Sequence, residues 1–481
     1  MGRGKPFRNR FTAAGRRRNQ ARIRILKHLE SDMPKSLLTC AIVAAGFTLA
    51  APAHAVDLIG VHDLAMENDP ILQAASYRRD ATGENERQAW ANLLPNLGGS
   101  AGMTRGDSET SIAGDRVSDT DVDNESWGLS LQQVLYDQSN YERLDLARGQ
   151  VSQSEAIYQQ AYQNFLVRVS QSYFSVLTAS DQVVFAEAEE RALQRQFEQA
   201  EQRFEVGLTA ITDVHESRAS YDNARARAIV ARNRLADARE GLRELTGQYF
   251  EEVDPLQEEL PLVNPDPNSS EEWAQIALQS NPSIIASQYG VEIADANARL
   301  QRSGHFPTLG LEAGYSNFTN NNYVLFDDFQ NPIGNVDLEN TDFTYGLRLT
   351  VPIYQGGAVS SRTRQARYEL NATQEDLDQQ QRAVLRDTRN AYRAVIAGIE
   401  QVQAFNQALV SAQSALEATQ AGFEVGTRTI VDVLLAQQRY YGAQGDNSLA
   451  RHDYILSHLQ LKAAGGMLSR EDLAAVNTIL D

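Results

Sequence analysis

One twelve-residue pattern, written twice, limits what this chain can fold into more than any other feature. Residues 203–214 read RFEVGLTAITDV and residues 422–433 read GFEVGTRTIVDV. Seven of the twelve letters agree in register: Phe204/Phe423, Glu205/Glu424, Val206/Val425, Gly207/Gly426, Ile211/Ile430, Asp213/Asp432 and Val214/Val433. Each copy lies between long polar segments with heptad-like apolar spacing and very little glycine or proline. That combination predicts a helix, a tight glycine turn and a second helix running back. Gly207 and Gly426 suit the left-handed position after a helix end, which costs a residue without Cβ nothing. Thr429 and Asp432 have the T-x-x-D spacing of a helix start, and Asp213 falls in the same first turn of its own helix. One such hairpin would be ordinary; two at a fixed offset predict a tandem repeat.

The correspondence extends well beyond the turns. Pro70 and Pro95 match Pro282 and Pro307 at the same spacing of 25 residues. WGLSLQQVLY (127–136) matches YGLRLTVPIY (345–354), and Tyr173/Tyr392, Tyr221/Tyr440, Leu242/Leu461 and Gly247/Gly466 keep the offset of the turns. The offset grows from 212 to 218 between Pro95 and Trp127, which puts a longer insertion in the second half, around the polar tract 320–341. A unit of about 210 residues is far too long for a solenoid. The expected organisation is a first repeat at 56–247, a proline-rich acidic linker at 248–272, a second repeat in the same order at 273–475 and a tail at 476–481. Each repeat reads helix, strand, loop, strand, very long helix, turn, long helix.

The start of the chain does not belong to this scheme. Met33-Pro-Lys precedes an apolar run from Leu37 to Ala50 and then Ala53-His54-Ala55, the form of a secretory signal cleaved after Ala55. Residues 33–55 are therefore expected to be a signal peptide, and the basic residues 1–32 a non-native extension ahead of the true start. The only cysteine, Cys40, would leave with the signal, so the exported chain relies on packing or assembly and not on disulfides. Residues 1–55 hold 11 of the chain's 44 basic residues but only 2 of its 63 acidic ones. The remainder carries a net charge of −28, against −19 for the whole chain, a field that disfavours nucleic acid.

After Ala55 no apolar run is long enough for a membrane helix. The strands, however, alternate. Leu309, Leu311, Ala313 and Tyr315 fall on one face, against Gly310, Glu312, Gly314 and Ser316 on the other. Tyr345, Leu347, Leu349, Val351 and Ile353 alternate with Gly346, Arg348 and Thr350, and the first half repeats the pattern more weakly. Segments of about ten residues with this alternation suit a membrane barrel, although a half-buried soluble hairpin shows the same pattern. Residues 150–206 run without glycine or proline, about 86 Å of helix, and 358–425 would reach about 100 Å. The latter carries an apolar seam at Leu377, Val384, Val395, Ile399, Val402, Leu409 and Leu416. Helices of that length must project from a bilayer core about 30 Å thick. Four strands cannot close a barrel, and open edges are not tolerated in lipid, so a membrane location requires several chains to share one barrel.

With signal peptide, duplicated halves, Y-G-L-x-L-x-x-P-I-Y-x-G-G at 345–357 and F-E-V-G-T-R-T-I-V-D-V at 423–433, the chain closely resembles TolC-type outer-membrane efflux channels over residues 57–475. The resemblance implies a mixed α+β membrane protein of the outer membrane. In it a homotrimer builds one 12-stranded β-barrel, four strands per chain, on an antiparallel α-helical coiled-coil tunnel in the periplasm. It implies as partners a periplasmic adaptor, an inner-membrane pump of RND or ABC type and outer-membrane lipid, with a role in tripartite efflux or type I secretion. By position, Asp432 matches an aspartate lining the periplasmic constriction and Arg428 an arginine that locks the closed state. Asp213 matches a partner in those locks, with Thr209 beside it. Gly207 and Gly426, flanked by Val206, Val425 and Phe204, match turns that contact the adaptor. The chain departs from the family pattern twice: Phe423 stands where a tyrosine hydroxyl would join the lock, and Leu435 where a second constriction aspartate would be. One carboxylate ring would then remain, so cation blocking at the mouth is expected to be weak.

Plainer readings stand beside these. Asp213 and Asp432 suit helix N-terminal stabilisation, which is compatible with a gate role. Arg428 would serve equally as a solvated turn residue, and Phe204 and Phe423 as packing for the turns. His62, His215, His305, His452 and His458 lack metal-ligand spacing and are expected at the surface. Gly98-Gly99-Ser100-Ala101-Gly102 lacks the Lys-Ser/Thr of a phosphate loop. No nucleophile–base set is visible, and neither enzyme chemistry nor a cofactor or metal is expected. The competing class is a periplasmic coiled-coil scaffold that forms no channel.

Overall fold

The computed structural model describes residues 56–112, 115–327 and 332–480. The extension at 1–32, the signal peptide at 33–55 and Cys40 lie outside the described residues. The elements follow in the order α1 (Leu58–Asn68), α2 (Pro70–Ala91), β1 (Asn96–Ile112), β2 (Asp115–Tyr136), α3 (Gln138–Glu205) and α4 (Ile211–Thr246). After a connection come α5 (Ser270–Ser280), α6 (Pro282–Ser303), β3 (Thr308–Phe326), β4 (Pro332–Thr350), α7 (Ala358–Glu424), α8 (Ile430–Ala464) and α9 (Arg470–Asn477). Two short helices, two strands and two long helices thus recur in the same order.

The matched prolines start equivalent helices. Pro70 and Pro282 take the first position of α2 and α6, where a missing N–H costs nothing. The side chains of Asp69 and Asn281 cap those helices by accepting from Ile71 N and Ser283 N, at 3.0 and 2.9 Å. The buried Asp69 also pairs with Arg168 of α3, whereas Asn281 donates to Ala464 O at 2.8 Å.

α3 and α7 have 68 and 67 residues, about 100 Å each; α4 and α8, with 36 and 35 residues, pair with about half of that length, and α2 and α6 pack against the rest. α3 begins twelve residues before the glycine-free run suggests, because Asp137 caps it at Ser139 N (2.8 Å) and Gly149 does not interrupt it. A Cβ at Gly149 would lie 2.9 Å from Ile293 Cγ1, so that glycine admits α6 against α3. The seam of α7 is buried at Val384, Val395 and Val402 and only half-buried at Leu409 and Leu416, nearer the turn.

The main core sits at mid-height. Phe165, Tyr173, Phe174 and Leu177 of α3 pack with Leu242 of α4, Val395 of α7 and Ile455 and Leu459 of α8. The connection 247–269, α1 and α9 wrap this belt: Tyr173 donates to Asp254 O (2.8 Å), and Gln163 to Leu468 O (2.8 Å). α5 starts at Ser270, inside the stretch read as linker, because Ser269 caps it; α9 occupies 470–477 and has no counterpart in the first half. Two histidines expected at the surface are buried here. His62 is enclosed beside Phe165, and His452 lies against Phe174 with Nδ1 2.8 Å from Thr178 Oγ1. Each imidazole packs against a phenylalanine ring of α3.

The strands form one antiparallel sheet in the order β1-β2-β3-β4. Register places Leu309, Leu311 and Ala313 opposite Leu349, Leu347 and Tyr345, and Leu131 and Leu129 opposite Ala313 and Tyr315, so one face is apolar and it is exposed. The return strand stops at Thr350, short of Ile353, because Pro352 has no N–H for the ladder. The tract around 320–341 extends the hairpin of β3 and β4, where the sequence suggests an insertion. With 17 to 22 residues each, the strands run well past the 9 to 11 or so a bilayer needs. Among the described residues β1 and β4 have one unpaired edge each, and no helix is long and apolar enough to cross a membrane.

Candidate functional site

The two twin motifs form the hairpin tips farthest from the sheet. α3 ends at Glu205; Gly207 has φ +76°, Gly207 N donates to Phe204 O (2.9 Å) and Leu208 N to Arg203 O (2.8 Å). α7 ends the same way: Gly426 has φ +79°, Gly426 N donates to Phe423 O (3.0 Å) and Thr427 N to Gly422 O (2.8 Å). Only residues tolerant of the left-handed region fit these turns. They hold Val206 and Val425 out into solvent, 69% and 75% exposed, with Phe204 half-exposed beside them.

The helices leaving the turns start differently. Thr429 and Asp432 form a capping box at α8: Thr429 Oγ1 accepts from Asp432 N (3.3 Å), and Asp432 Oδ2 accepts from Thr429 N (3.0 Å) and Thr429 Oγ1 (2.9 Å). Those donors, the Thr429 backbone N–H first, hold the Asp432 carboxyl below the usual aspartate range, with Arg428 adding a smaller pull. At α4 the N-cap is Ala210, which has no side-chain cap, and the Thr209 hydroxyl donates to Asp213 instead.

Between the tips lies a narrow cleft lined by Gln196, Ala200 and Arg203 of α3, Thr209, Asp213 of α4, Phe423 of α7 and Ile430 of α8. Three of the expected gate residues, Thr209, Asp213 and Phe423, therefore meet within one chain. Arg428 is exposed and Asp432 half-buried, neither lines it, and Arg428 makes no ion pair within 4.0 Å among the described residues. Leu435, 44% exposed, follows one turn after Asp432.

Arg203 is the member of this cleft that sequence reasoning passed over. Its guanidinium carbon lies 5.0 Å from the centroid of the Phe423 ring, a cation–π contact joining one hairpin to the other. Beneath it Leu193, Ala224, Ile430 and Leu434 form a small buried cluster, with Phe423 against it. The signal was a mismatch in the twin motif: Arg203 aligns with Gly422. Glycine is needed there, because a Cβ at 422 would lie 2.8 Å from Arg428 Cγ. Among the described residues no group of three or more histidines, cysteines and carboxylates is placed to hold a metal.

Comparison with known proteins supports the same architecture. The family model "Outer membrane efflux protein" matches residues 61–248 and again 273–467. The chain is 40% identical over 443 residues to the outer membrane protein TolC of Vibrio cholerae, covering 92% of this chain and 98% of that protein. It is 30% identical over 454 residues to the alkaline protease secretion protein AprF of Pseudomonas aeruginosa, covering 92% and 91%. The solved structure of the outer membrane protein VceC, also from Vibrio cholerae, superposes with a TM-score of 0.69 at 18% identity, over 85% of this chain and 96% of that one. Two matched segments spanning most of the chain, and relatives matched nearly end to end, lead to one conclusion: the chain belongs to the outer membrane efflux protein family, and with it to the outer membrane.

Proposed function

We propose that three copies of this chain, each an internal duplication, assemble into a passive exit duct. Twelve strands would close one outer-membrane barrel, and the long helix pairs would continue it as a tunnel into the periplasm. The observation that carries this reading is a four-stranded sheet with an exposed apolar face and two unpaired edges, mounted on helices of about 100 Å. Lipid forbids those edges, and a neighbouring copy offering β1 to β4 satisfies both at once. A periplasmic adaptor and an inner-membrane pump of RND or ABC type would drive transport. The valines and glycines of the two tips, Val206, Gly207, Val425 and Gly426, are the proposed adaptor contacts, being apolar, exposed and rigidly presented.

The gate is proposed at the same end. Thr209, Asp213 and Phe423 lie between the hairpins of one chain, and the unpaired Arg428 is free to meet a carboxylate of a neighbouring copy. Asp432, anchored by its capping box, would give one carboxylate ring at the mouth. The relatives' names span efflux and protease secretion; a duct of this kind does not choose between those cargoes. Fractionation and mild-detergent sizing test the proposal together with planar-bilayer recording. Outer-membrane location, a trimer and ion current are expected. A water-soluble single copy without current refutes the duct and leaves the periplasmic scaffold.

A further inference from the structure

Over its middle rungs the sheet face opposite the apolar one is lined by glycine, serine and threonine, with Gln132 on the rung of Glu312 and Asn124, Phe318 and Asn340 farther from the helices. One rung, for example, is Gly98, Ser130, Gly314 and Thr344, read straight across the four strands. The two rungs nearer the helices break the pattern. There Glu312 and Arg348 form a two-pronged ion pair across β3 and β4, with Oε1–Nε and Oε2–Nη2 both 2.8 Å. Each charge sits opposite a glycine, Gly346 facing Glu312 and Gly310 facing Arg348, which leaves the diagonal between them open for two long side chains. A concavity of about 660 Å³ lies over these residues. Both side chains remain accessible, 43% for Glu312 and 69% for Arg348, so the pair borders water and is not enclosed in the sheet.

We infer that the Glu312–Arg348 pair is a charge filter of the barrel lumen, placed where the barrel meets the helical tunnel; this rests on the duct proposed above. In a barrel the polar face turns inward, so this face is the lumen wall. Short side chains on the adjoining rungs (Gly98, Ser130, Gly314 and Thr344) leave the lumen wide there, and the pair brings two long, charged groups towards passing solutes. Three copies bring three carboxylates and three guanidiniums, a ring of zero net charge. Asp342, two rungs farther along the same face, adds an acidic ring without a basic partner on its rung. Arg348 therefore restrains a cation preference that Glu312 and Asp342 would otherwise impose together, and Glu312 keeps Arg348 from reversing it. The solutes it sorts are small ions and charged organic molecules, by the sign of their charge.

A direct test is the ratio of potassium to chloride permeability in planar bilayers under a KCl gradient, for the wild-type protein and the variants Arg348→Gln and Glu312→Gln. Both positions are solvent-exposed, so the variants are expected to assemble; the double variant E312Q/R348Q, which restores ring neutrality, checks this with a ratio near wild type. R348Q should raise the ratio about twofold or more, and E312Q should lower it by a similar factor, with both changes shrinking as salt screens the ring. A pair that only staples β3 to β4 would change channel stability and leave the ratio alone. A conducting wild type whose ratio neither variant moves at low salt overturns the filter while the duct stands. A wild-type protein that passes no current overturns the duct, and the filter with it.

Discussion

Replacing Arg203 by alanine is the most informative single change at the tips. Arg203 reaches from α3 to the ring of Phe423 on α7, so the contact exists only while the two hairpins lie side by side. Both residues are half-buried, and a cation–π contact in such a setting is worth about 0.5–1 kcal/mol. Three copies moving together would lose about 1.5–3 kcal/mol of preference for the closed arrangement. Since about 1.4 kcal/mol is tenfold in an equilibrium, the closed-to-open ratio should fall by about 10- to 150-fold. Copies moving one at a time would each shift by only about two- to fivefold. Single-channel recording separates the cases through open probability and the number of subconductance levels. Arg203→Lys keeps the charge but loses the planar stack and should give part of the effect. Phe423→Leu keeps the apolar contact with Ile430 and should match R203A, and the double variant should be no worse than either single one. Equal open probability in wild type and R203A, or full additivity of R203A and F423L, would refute a clasp made by these two side chains.

The remaining expectations concern the caps, the core and the neighbouring copy. Thr429→Ala removes the side-chain cap of α8, about 1 kcal/mol, and should speed amide hydrogen exchange in its first turn by about fivefold. Ala210→Ser gives α4 the cap it lacks and should slow exchange there; identical exchange in both variants would argue against the caps as tip stabilisers. Burial pushes the His452 imidazole down to about 4, with Asp181 pulling the other way and Arg451 adding to the depression. The folded protein thus holds His452 neutral, and the unfolded chain binds the proton first, near 6.5. Stability from this group is complete above about pH 6.5 and is lost as pH falls towards 4, on the order of 3 kcal/mol. Thermal unfolding of wild type and His452→Gln between pH 7 and pH 4 should converge at the acid end; parallel curves would refute it. Arg428→Glu, which reverses the charge of an exposed and unpaired group, should loosen the proposed closed state, seen as raised single-channel conductance; unchanged conductance would speak against Arg428 as a lock.

The parts of the fold that could be read from the sequence are those where one chemical demand has one answer. A left-handed turn after a long helix demands glycine, so Gly207 and Gly426 located both tips, and the T-x-x-D spacing located the start of α8. The strands were legible where one face is apolar, around Leu309–Tyr315 and Tyr345–Leu349. Farther along, Phe318, Tyr323, Val336 and Leu338 are scattered among asparagines and acids, the alternation vanishes, and nothing in the letters distinguishes a longer strand from an insertion. Gly149 misled for the opposite reason: glycine answers two demands, and here it serves close packing against Ile293 instead of ending a helix. α9 carried a readable start in Ser469 and Asp472, whose side chains form a capping box, but eight residues are too few to show periodicity. The burial of His62 and His452 depends on aromatic partners 103 and 278 residues away, which no local pattern reports.

The differences between the twin turns matter more to function than their likeness. Identical turns would give two hairpins equally free to move. The chain instead caps α8 with a threonine–aspartate box and leaves α4 capped by an alanine, so the start of the second-half hairpin is the better anchored. It puts a long cation at 203 and a glycine at the equivalent 422, so the cation–π bridge at the tips runs one way, from the first hairpin onto the second. The glycine in turn lets the Arg428 side chain fold over the end of α7, with its head group left exposed for a partner outside the chain. Each hairpin therefore has a different set of restraints: one held by its neighbour through a half-buried cation, the other offering a cation outward. In the proposed trimer, an end built from three such unequal pairs would release the contacts within a chain and those between chains separately. R203A and R428E should accordingly loosen it by independent amounts that add in the double variant, and strong non-additivity would show that a single shared contact holds the end closed.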